Sequence, residues 1–262
     1  MKRLALFGVS GRMGQAVLRA LADSPEVTLS GALASRGHES IGRVVSQAAG
    51  GSVHIVDEPL AALEAAQVAL DFSRAEAVDA HLAACVKTGV PIVVAVTGLS
   101  VDTQRAVREA AQRIPVLPAA NTSLGIAVMN RLAAMAAGWL PRFEVEIAEA
   151  HHRMKRDAPS GTALQLGESV ARSRGQRLAE VAIPPRQGQS GPRPPDGVGF
   201  SVIRAGDIVG THTVLLAGRD ETLEITHRAT DRACFARGAI AAAAWLVGRE
   251  PGFYRMEDVL GI

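Results

Sequence analysis

The sequence predicts an α/β fold: a Rossmann-type doubly wound parallel sheet, followed by a second α+β domain with a mostly antiparallel sheet. In the first half, short apolar runs alternate with helical patterns, as in βαβ units. A glycine-rich turn at residues 8–14 follows the first run. After residue 121 the alternation stops. The three last strand-like runs have no helices between them, which favours antiparallel pairing; they lie at 199–205, 211–217 and 222–228.

The elements follow from these patterns. In the first domain, strands are predicted at 3–8, 27–34, 53–56, 67–72, 91–97 and 114–120. The helices between them are predicted at 12–23, 58–66, 74–88 and 100–112. In the second domain we expect a helix at 125–138, a strand at 143–150, a helix at 161–173 and a Gly/Pro-rich loop at 184–198. A closing Ala-rich helix at 234–248 returns to the first domain. The first domain is thus expected to span 1–122 and 233–262, and the second domain to span 123–232.

Composition narrows the class of protein. The 262 residues are 48% hydrophobic and 21% charged, which is typical of a globular chain. The net charge of +2 gives no reason to expect nucleic acid or a membrane surface as a partner. No apolar run approaches the roughly 20 residues of a membrane span. The two cysteines, Cys85 and Cys234, stand alone, which favours a reducing, cytoplasmic setting.

The glycine-rich turn predicts dinucleotide binding. Glycines at 8, 11 and 14 come between a strand and a helix, where they allow a tight turn and let backbone approach a pyrophosphate. A Gly-rich turn without a ligand is the alternative for the glycines alone. We expect a bound pyrophosphate to lie on this turn, at the N-terminus of the helix that follows.

The end of the second strand predicts a preference for NADPH, with NADH as a weaker cofactor. NAD enzymes place a carboxylate on the ribose about 20 residues after the glycines, but residues 33–36 contain none. Ser35 and Arg36 stand there instead, and a guanidinium suits a 2′-phosphate. Alternatively, Arg36 is a solvated loop charge.

A basic cluster at 151–156 predicts a site for an acidic small molecule. It comes between a strand and a helix whose start, Ser160-Gly161-Thr162, offers free N–H groups to an anion such as a dicarboxylate. Lys155 with His151 is suited to protonate a carbon that becomes nucleophilic after hydride addition. A basic surface loop is one alternative. Zinc is another, but adjacent histidines in a strand point to opposite faces, so we expect no metal.

Seven segments resemble the dihydrodipicolinate reductase family, in the family's order through nearly the whole chain. They are GVSGRMG at 8–14, DFSRAEA at 71–77, TG at 97–98, AANTSLGI at 119–126, EAHHRMKRDAPSGTAL at 149–164, RAGDIVGTHTV at 204–214 and LEITHRA at 223–229. The resemblance implies that residues 1–122 and 233–262 form a dinucleotide-binding domain, and that the domain at 123–232 binds the substrate and forms a homotetramer through its sheet. It also implies reduction of a hydroxylated tetrahydrodipicolinate by NAD(P)H with loss of water.

The resemblance also implies roles for single residues. His151 matches the family's proton donor and acceptor, and Lys155 its catalytic lysine. Substrate carboxylates are expected on His152, Gly161 and Thr162. The pyrophosphate is expected to be held by the glycine-rich turn, through Gly8, Val9, Ser10, Gly11, Arg12 and Met13. The nicotinamide and its ribose are expected to lie against two segments, Ala95, Val96 and Thr97, and Ala119, Ala120, Asn121 and Thr122.

The sequence departs from the family pattern at three places. An acid followed by arginine is replaced by Ala34 and Ser35, which puts NADH use in doubt. The usual Gly-Thr-Thr-Gly is Ala95-Val96-Thr97-Gly98, and Thr122 stands where an aromatic residue is frequent. These last two affect the nicotinamide contacts and not the reaction class.

Two rival functions fit the sequence less well. A semialdehyde dehydrogenase needs a nucleophilic cysteine in an activating setting, and neither cysteine has a basic or Gly-rich neighbourhood. An NADPH-sensing binding module would keep the glycine turn, but it has no need of Lys155 together with the helix start at 160–162.

Overall fold

The computed structural model describes residues 1–47, 51–183 and 186–262. The strands are β1 (Lys2–Phe7), β2 (Val27–Leu33), β3 (Val44–Gln47), β4 (Gly51–Val56), β5 (Val68–Asp71), β6 (Ile92–Val94), β7 (Pro115–Pro118), β8 (Glu144–His151), β9 (Ala182–Ile183), β10 (Val198–Arg204), β11 (Gly210–Ala217), β12 (Thr222–Ala229) and β13 (Gly252–Phe253). The helices are α1 (Arg12–Leu21), α2 (Pro59–Leu63), α3 (Val78–Thr88), α4 (Val101–Ala110), α5 (Leu124–Trp139), α6 (Gly161–Ser173), α7 (Leu178–Val181), α8 (Ala233–Leu246) and α9 (Met256–Leu260).

The chain forms two compact units. The first contains residues Met1–Leu124 and Arg232–Ile262, and the second contains Gly125–Asp231. The first unit is therefore discontinuous, and α8 belongs to it.

The sheet of the first unit is doubly wound, as the alternation of runs and helices predicted. Its strand order is β13-β7-β6-β5-β1-β2-β4-β3, and its pairings are parallel apart from that of β3 with β4. One face packs against α2, α3 and α4 through side chains such as Phe7, Leu82 and Val107. Strand residues that alternate with these, such as Leu6 and Leu70, are fully buried on the other face, where α8 contacts β5, β6 and β7. Burial on both faces explains the unbroken apolar runs.

The second unit contains a mixed sheet packed on helices. Its strand order is β12-β11-β8-β10-β9. Val145 and Ile147 of β8 alternate with outward-facing residues and pack with Leu166 and Val170 of α6 and with Met129 of α5.

The predicted antiparallel pairing holds for only part of this sheet. β11 is antiparallel to β8 and to β12, whereas β10 is parallel to β8 and to β9. The physical reason is the connection: β8, α6 and β10 form a βαβ crossover, and a crossover through a helix returns the chain in the same direction. The helix predicted at 161–173 was therefore the evidence against an antiparallel β10.

Short elements were missed because they have too few residues for a periodic pattern. They include β3, which pairs antiparallel with β4, and β13, which adds a parallel edge to β7. Of the predicted loop 184–198, residues 186–197 contain no helix or strand, whereas 184 and 185 lie outside the described residues. Nowhere in the described ranges is a helix both long enough and apolar enough to cross a membrane.

Candidate active site

The glycine-rich turn lies between β1 and α1, as predicted. Gly8 has φ +79°, and a Cβ there would lie 2.7 Å from the carbonyl oxygen of Phe72, so only glycine fits. The N-cap of α1 is Gly11, and the first turn of the helix carries neither a side-chain cap nor an acidic residue. The first N–H groups of a helix have no partner within it. This end of α1 is therefore suited to an anion.

A cavity of about 310 Å³ adjoins this turn. Gly8, Ser10, Gly11 and Ser35 line it, so the structure brings together four of the residues predicted to hold the cofactor. Val9 is fully buried in the core, so only its backbone is available to a ligand. The glycine cradle, the helix end and the cavity fit a dinucleotide.

A buried carboxylate–histidine pair completes this cavity and was missed by the sequence reasoning. His81, on the cavity wall, has its Nδ1 2.7 Å from Oδ2 of Asp71 at the end of β5. The other Asp71 oxygen accepts the backbone N–H of Ser73 at 2.8 Å. Asp71 is the first residue of the segment DFSRAEA at 71–77, but nothing in the sequence indicates that α3 places His81 beside it.

The other predicted cofactor residues lie in the same unit. Arg12, Met13, Ala95, Val96 and Thr97 line one open groove.

The segment 119–122 follows β7. The N–H of Ala119 donates to the Val94 carbonyl, and Ala120 is exposed. Oδ1 of Asn121 accepts the N–H of Ser123. Thr122 is buried, and its hydroxyl donates to the Phe235 carbonyl of α8 at 2.7 Å. Its side chain is thus used within the fold, and its backbone is what remains for a cofactor.

Arg36 is not a free cation in the structure. Its guanidinium lies 2.8 Å from Oε1 of Glu58, at the N-cap of α2. The two side chains are 83% and 62% exposed, so the pair is weak and costs little to break. Glu58 therefore places a carboxylate beside Arg36, although residues 33–36 themselves contain none.

In the second unit, strand alternation places Glu149 and His151 on the buried face of β8. Nδ1 of His151 lies 2.5 Å from Oε2 of Glu149. On the other side of the ring, a Cβ at Gly210 would lie 3.2 Å from Nε2. The absence of a side chain at Gly210 leaves that nitrogen room.

Glu149 is the centre of this network. Its side chain is fully buried, and Arg204 of β10 binds both oxygens, at 2.7 and 2.8 Å. Oε1 also accepts the backbone N–H of Ser160 at 3.0 Å. Burial alone would raise the pKa of Glu149, but the hydrogen bonds from Arg204, His151 and Ser160 outweigh it and keep the pKa below its ordinary value. The carboxylate is therefore ionised.

Burial lowers the pKa of His151 below its ordinary value, so the ring is neutral at neutral pH. Glu149 opposes this shift, whereas the charges of Lys155 and Arg204 reinforce it. Lys155 lies in the loop that follows His151 and is partly buried. Its Nζ lies 2.9 Å from Oδ2 of Asp157, an acidic partner that the sequence reasoning, which saw only cations around Lys155, did not weigh.

The start of α6 is as predicted. Ser160 is the N-cap, and its Oγ accepts the N–H of Ala163 at 3.2 Å. Gly161 is exposed, with nothing within 4 Å of a Cβ placed there, and Thr162 is buried. His152 is half-buried and begins the loop, where its carbonyl accepts the N–H of Lys155.

A second buried histidine, His212, was also missed. It pairs with Glu149 across the β8–β11 register, its ring centre is 5.1 Å from that of His151, and its Nε2 lies 3.1 Å from Oγ of Ser160. Burial, followed by the charge of His151, lowers the pKa of His212 to about 4. Across the described chain, no group of three or more His, Cys, Asp or Glu is arranged to hold a metal ion.

Both units match models of a known protein family. Residues 2–122 match the model for the N-terminus of dihydrodipicolinate reductase, and residues 125–260 match the model for its C-terminus. The chain belongs to the dihydrodipicolinate reductase family.

Comparison with individual proteins points to the same family. The 4-hydroxy-tetrahydrodipicolinate reductase of Thiobacillus denitrificans is 46% identical over 99% of this chain and 98% of its own. That of Alkalilimnicola ehrlichii is 45% identical over 99% of each chain. A dipicolinate-bound dihydrodipicolinate reductase from Paenisporosarcina sp. TG-14 shares the fold, with a TM-score of 0.76 at 22% identity over 98% of this chain and 99% of its own.

The alternative of a cysteine-dependent dehydrogenase gains nothing from the structure. Cys85 is fully buried on α3, and burial raises the pKa of its thiol. A thiolate nucleophile needs the opposite shift.

The buried histidines predict how stability depends on pH. The folded pKa of His212 is below its ordinary value of 6.5, so the unfolded chain binds more protons. Stability should therefore be full above pH 6.5 and fall as the pH decreases towards about 4. The loss from His212 is on the order of 3 kcal/mol. Urea unfolding at a series of pH values measures it.

His212→Gln should flatten this slope, because the titrating group is gone. The same change at the exposed His54 is the matched control for the substitution itself. Equal slopes in wild type and His212→Gln would contradict the assignment.

Proposed function

We propose that this chain reduces 4-hydroxy-tetrahydrodipicolinate to tetrahydrodipicolinate, with loss of water and oxidation of NADPH or NADH, in lysine and diaminopimelate biosynthesis. One observation carries the proposal: the buried carboxylate of Glu149 contacts both His151 and the open start of α6, and the loop between these two elements carries Lys155. An acid–base pair beside an anion site suits a substrate with two carboxylates.

The two units have separate roles in this proposal. Residues 1–122 and 233–262 bind the cofactor, and residues 123–232 bind the substrate and form the oligomer. A bound reduced nicotinamide supplies a hydride. The pyrophosphate is held by the turn from Gly8 to Met13, and the nicotinamide and its ribose lie against the segments 95–97 and 119–122.

The residues of the second unit handle the protons. His151 takes a ring proton at Nε2 and passes it to the departing hydroxyl group, which leaves as water. After hydride addition, the carbon that lost its proton regains one from Lys155. His152 and the N–H groups of Gly161 and Thr162 hold the substrate carboxylates, since a helix start stabilises negative charge.

We also propose a homo-oligomer, most simply a tetramer. β12 forms an edge of the second sheet, and the face opposite α6 presents Ser201, Ile203 and Thr226 as exposed side chains. Ile203 is 54% exposed. Pairing between copies would cover both the edge and this face.

Lys155→Ala should lower kcat by about 10²–10⁴, the usual contribution of a positioned general acid, and leave NADPH affinity unchanged. The assay follows NADPH oxidation with substrate formed in situ from pyruvate and aspartate semialdehyde by the preceding synthase. Lys87→Ala, an exposed lysine on α3, is the matched control. A Lys155→Ala enzyme with near-normal kcat would rule out its role, and a wild-type chain that binds NADPH without turnover would indicate a binding module.

The cofactor preference depends on Arg36 and, from the structure, on Glu58. A 2′-phosphate can displace the exposed Glu58 carboxylate, and one charge-assisted contact at a solvated site favours NADPH by about 10-fold. Arg36→Ala should raise KM for NADPH and leave NADH kinetics nearly unchanged. Glu58→Gln should lower KM for NADPH, because Arg36 loses its competitor.

Arg19→Ala removes one positive charge from an exposed position on α1. It is the control for a general change in the electrostatic potential of the protein. If Arg36→Ala weakens both cofactors alike, Arg36 does not read the phosphate. If Glu58→Gln weakens NADH, Glu58 holds the ribose itself, and the expected preference for NADPH is wrong.

A further inference from the structure

The hydrogen bonds to Glu149 decide which nitrogen of His151 carries the proton. An ionised carboxylate only accepts hydrogen bonds. Because Oε2 lies 2.5 Å from Nδ1 of His151, the neutral ring must carry its proton on Nδ1. Its lone pair is then on Nε2, the nitrogen beside Gly210. A proton acceptor needs that lone pair on the side that faces the substrate.

Arg204 limits what Glu149 can do. A carboxylate beside an imidazole ordinarily raises its basicity, but here a bidentate guanidinium neutralises the carboxylate. Burial, with smaller contributions from the charges of Lys155 and Arg204, keeps the pKa of His151 low despite the contact. Glu149 therefore fixes the orientation and tautomer of the ring without turning it into a stable cation, and His151 remains able to take a proton and release it.

The same carboxylate also holds the anion-binding end of α6. Oε1 accepts the N–H of Ser160, the residue that caps the helix just before Gly161. Arg204 extends the network to the carbonyl of Asp157 at 2.6 Å, and so to the loop that carries Lys155. One buried side chain thus ties the imidazole, the helix start and the lysine loop together.

We infer that Glu149, clamped by Arg204, is the positioning residue of this site: it holds His151 in the Nδ1–H tautomer and fixes the start of α6 relative to that ring. The inference rests on the proposed function for the reaction that His151 serves, but the tautomer can be measured without any substrate.

The Glu149→Gln variant separates a positioning role from simple packing. Oε1 receives two obligatory donors, the Ser160 N–H and Nη2 of Arg204, whereas Oε2 receives only one, Nη1 of Arg204, so the amide oxygen should occupy the position of Oε1. The amide NH₂ then faces Nδ1 of His151, which must become the acceptor, and the proton moves to Nε2. We expect kcat to fall by about 10²–10⁴, as for a histidine held in the wrong tautomer, while KM changes by less than about threefold.

The direct measurement is ¹⁵N NMR of the full chain labelled at histidine. His151→Asn removes the resonances of that residue and so assigns them. Wild type should show the Nδ1–H pattern, Glu149→Gln the Nε2–H pattern, and Glu149→Asp, which keeps a carboxylate, the Nδ1–H pattern with part of the lost kcat restored. Glu146→Gln is the control: it changes a carboxylate of the same strand that pairs with Arg186 and Arg193 and faces away from the site.

An Nε2–H tautomer in wild type would overturn the inference, and so would a Glu149→Gln enzyme that keeps the Nδ1–H tautomer and the kcat of Glu146→Gln. The wild-type spectrum decides the matter even if Glu149→Gln does not fold. If wild type shows the Nδ1–H pattern but does not turn over the hydroxylated tetrahydrodipicolinate, the proposed function fails and the positioning of His151 stands.

Discussion

A carboxylate taken out of water needs hydrogen-bond donors to replace its hydration, and the second unit is organised around this requirement at Glu149. Strand alternation turns Glu149 towards the core. A charged side chain in this core is stable only beside a counter-ion, and Arg204 of β10 supplies it. β10 must therefore lie next to β8. In the observed parallel register, Val202 is the partner of Glu149, and Arg204 follows two residues later on the same face. The βαβ crossover that makes this register also delivers the start of α6, whose Ser160 N–H is another donor. The sheet topology and the chemistry of the site are thus one arrangement.

The first unit contains a similar but simpler arrangement. Asp71 and His81 form a second buried carboxylate–histidine pair at the carboxyl end of a parallel strand, but there the other oxygen accepts a single backbone N–H from Ser73. This pair belongs to the cavity wall beside the glycine turn. Carboxyl ends of parallel strands are where ligands bind in open α/β sheets, and a histidine fixed by a carboxylate gives such a wall a rigid polar group.

Local sequence signals were sufficient for much of this structure. Alternating runs and the glycines at 8, 11 and 14 predicted the doubly wound sheet, and the spacing around Ser160 predicted the start of α6 to the residue. The partners of the buried charges could not be predicted. Arg204 is 55 residues from Glu149, and Glu58 is 22 from Arg36, and only strand order and register bring such pairs together. The same limit explains why β10 was expected to be antiparallel: periodicity gives a strand's faces but not its neighbour.

The arrangement of the second unit depends most on a buried Glu149 charge that Arg204 neutralises. A double-mutant cycle in the free energy of unfolding tests this directly. Arg204→Met in the wild-type background should cost about 3–5 kcal/mol, because it leaves a carboxylate buried without its counter-ion. In the Glu149→Gln background, where no charge is left behind, the same substitution should cost about 1 kcal/mol or less, which gives a large coupling between the two sites. Equal costs in the two backgrounds would show that Arg204 does not stabilise a buried Glu149 charge, and would contradict the account.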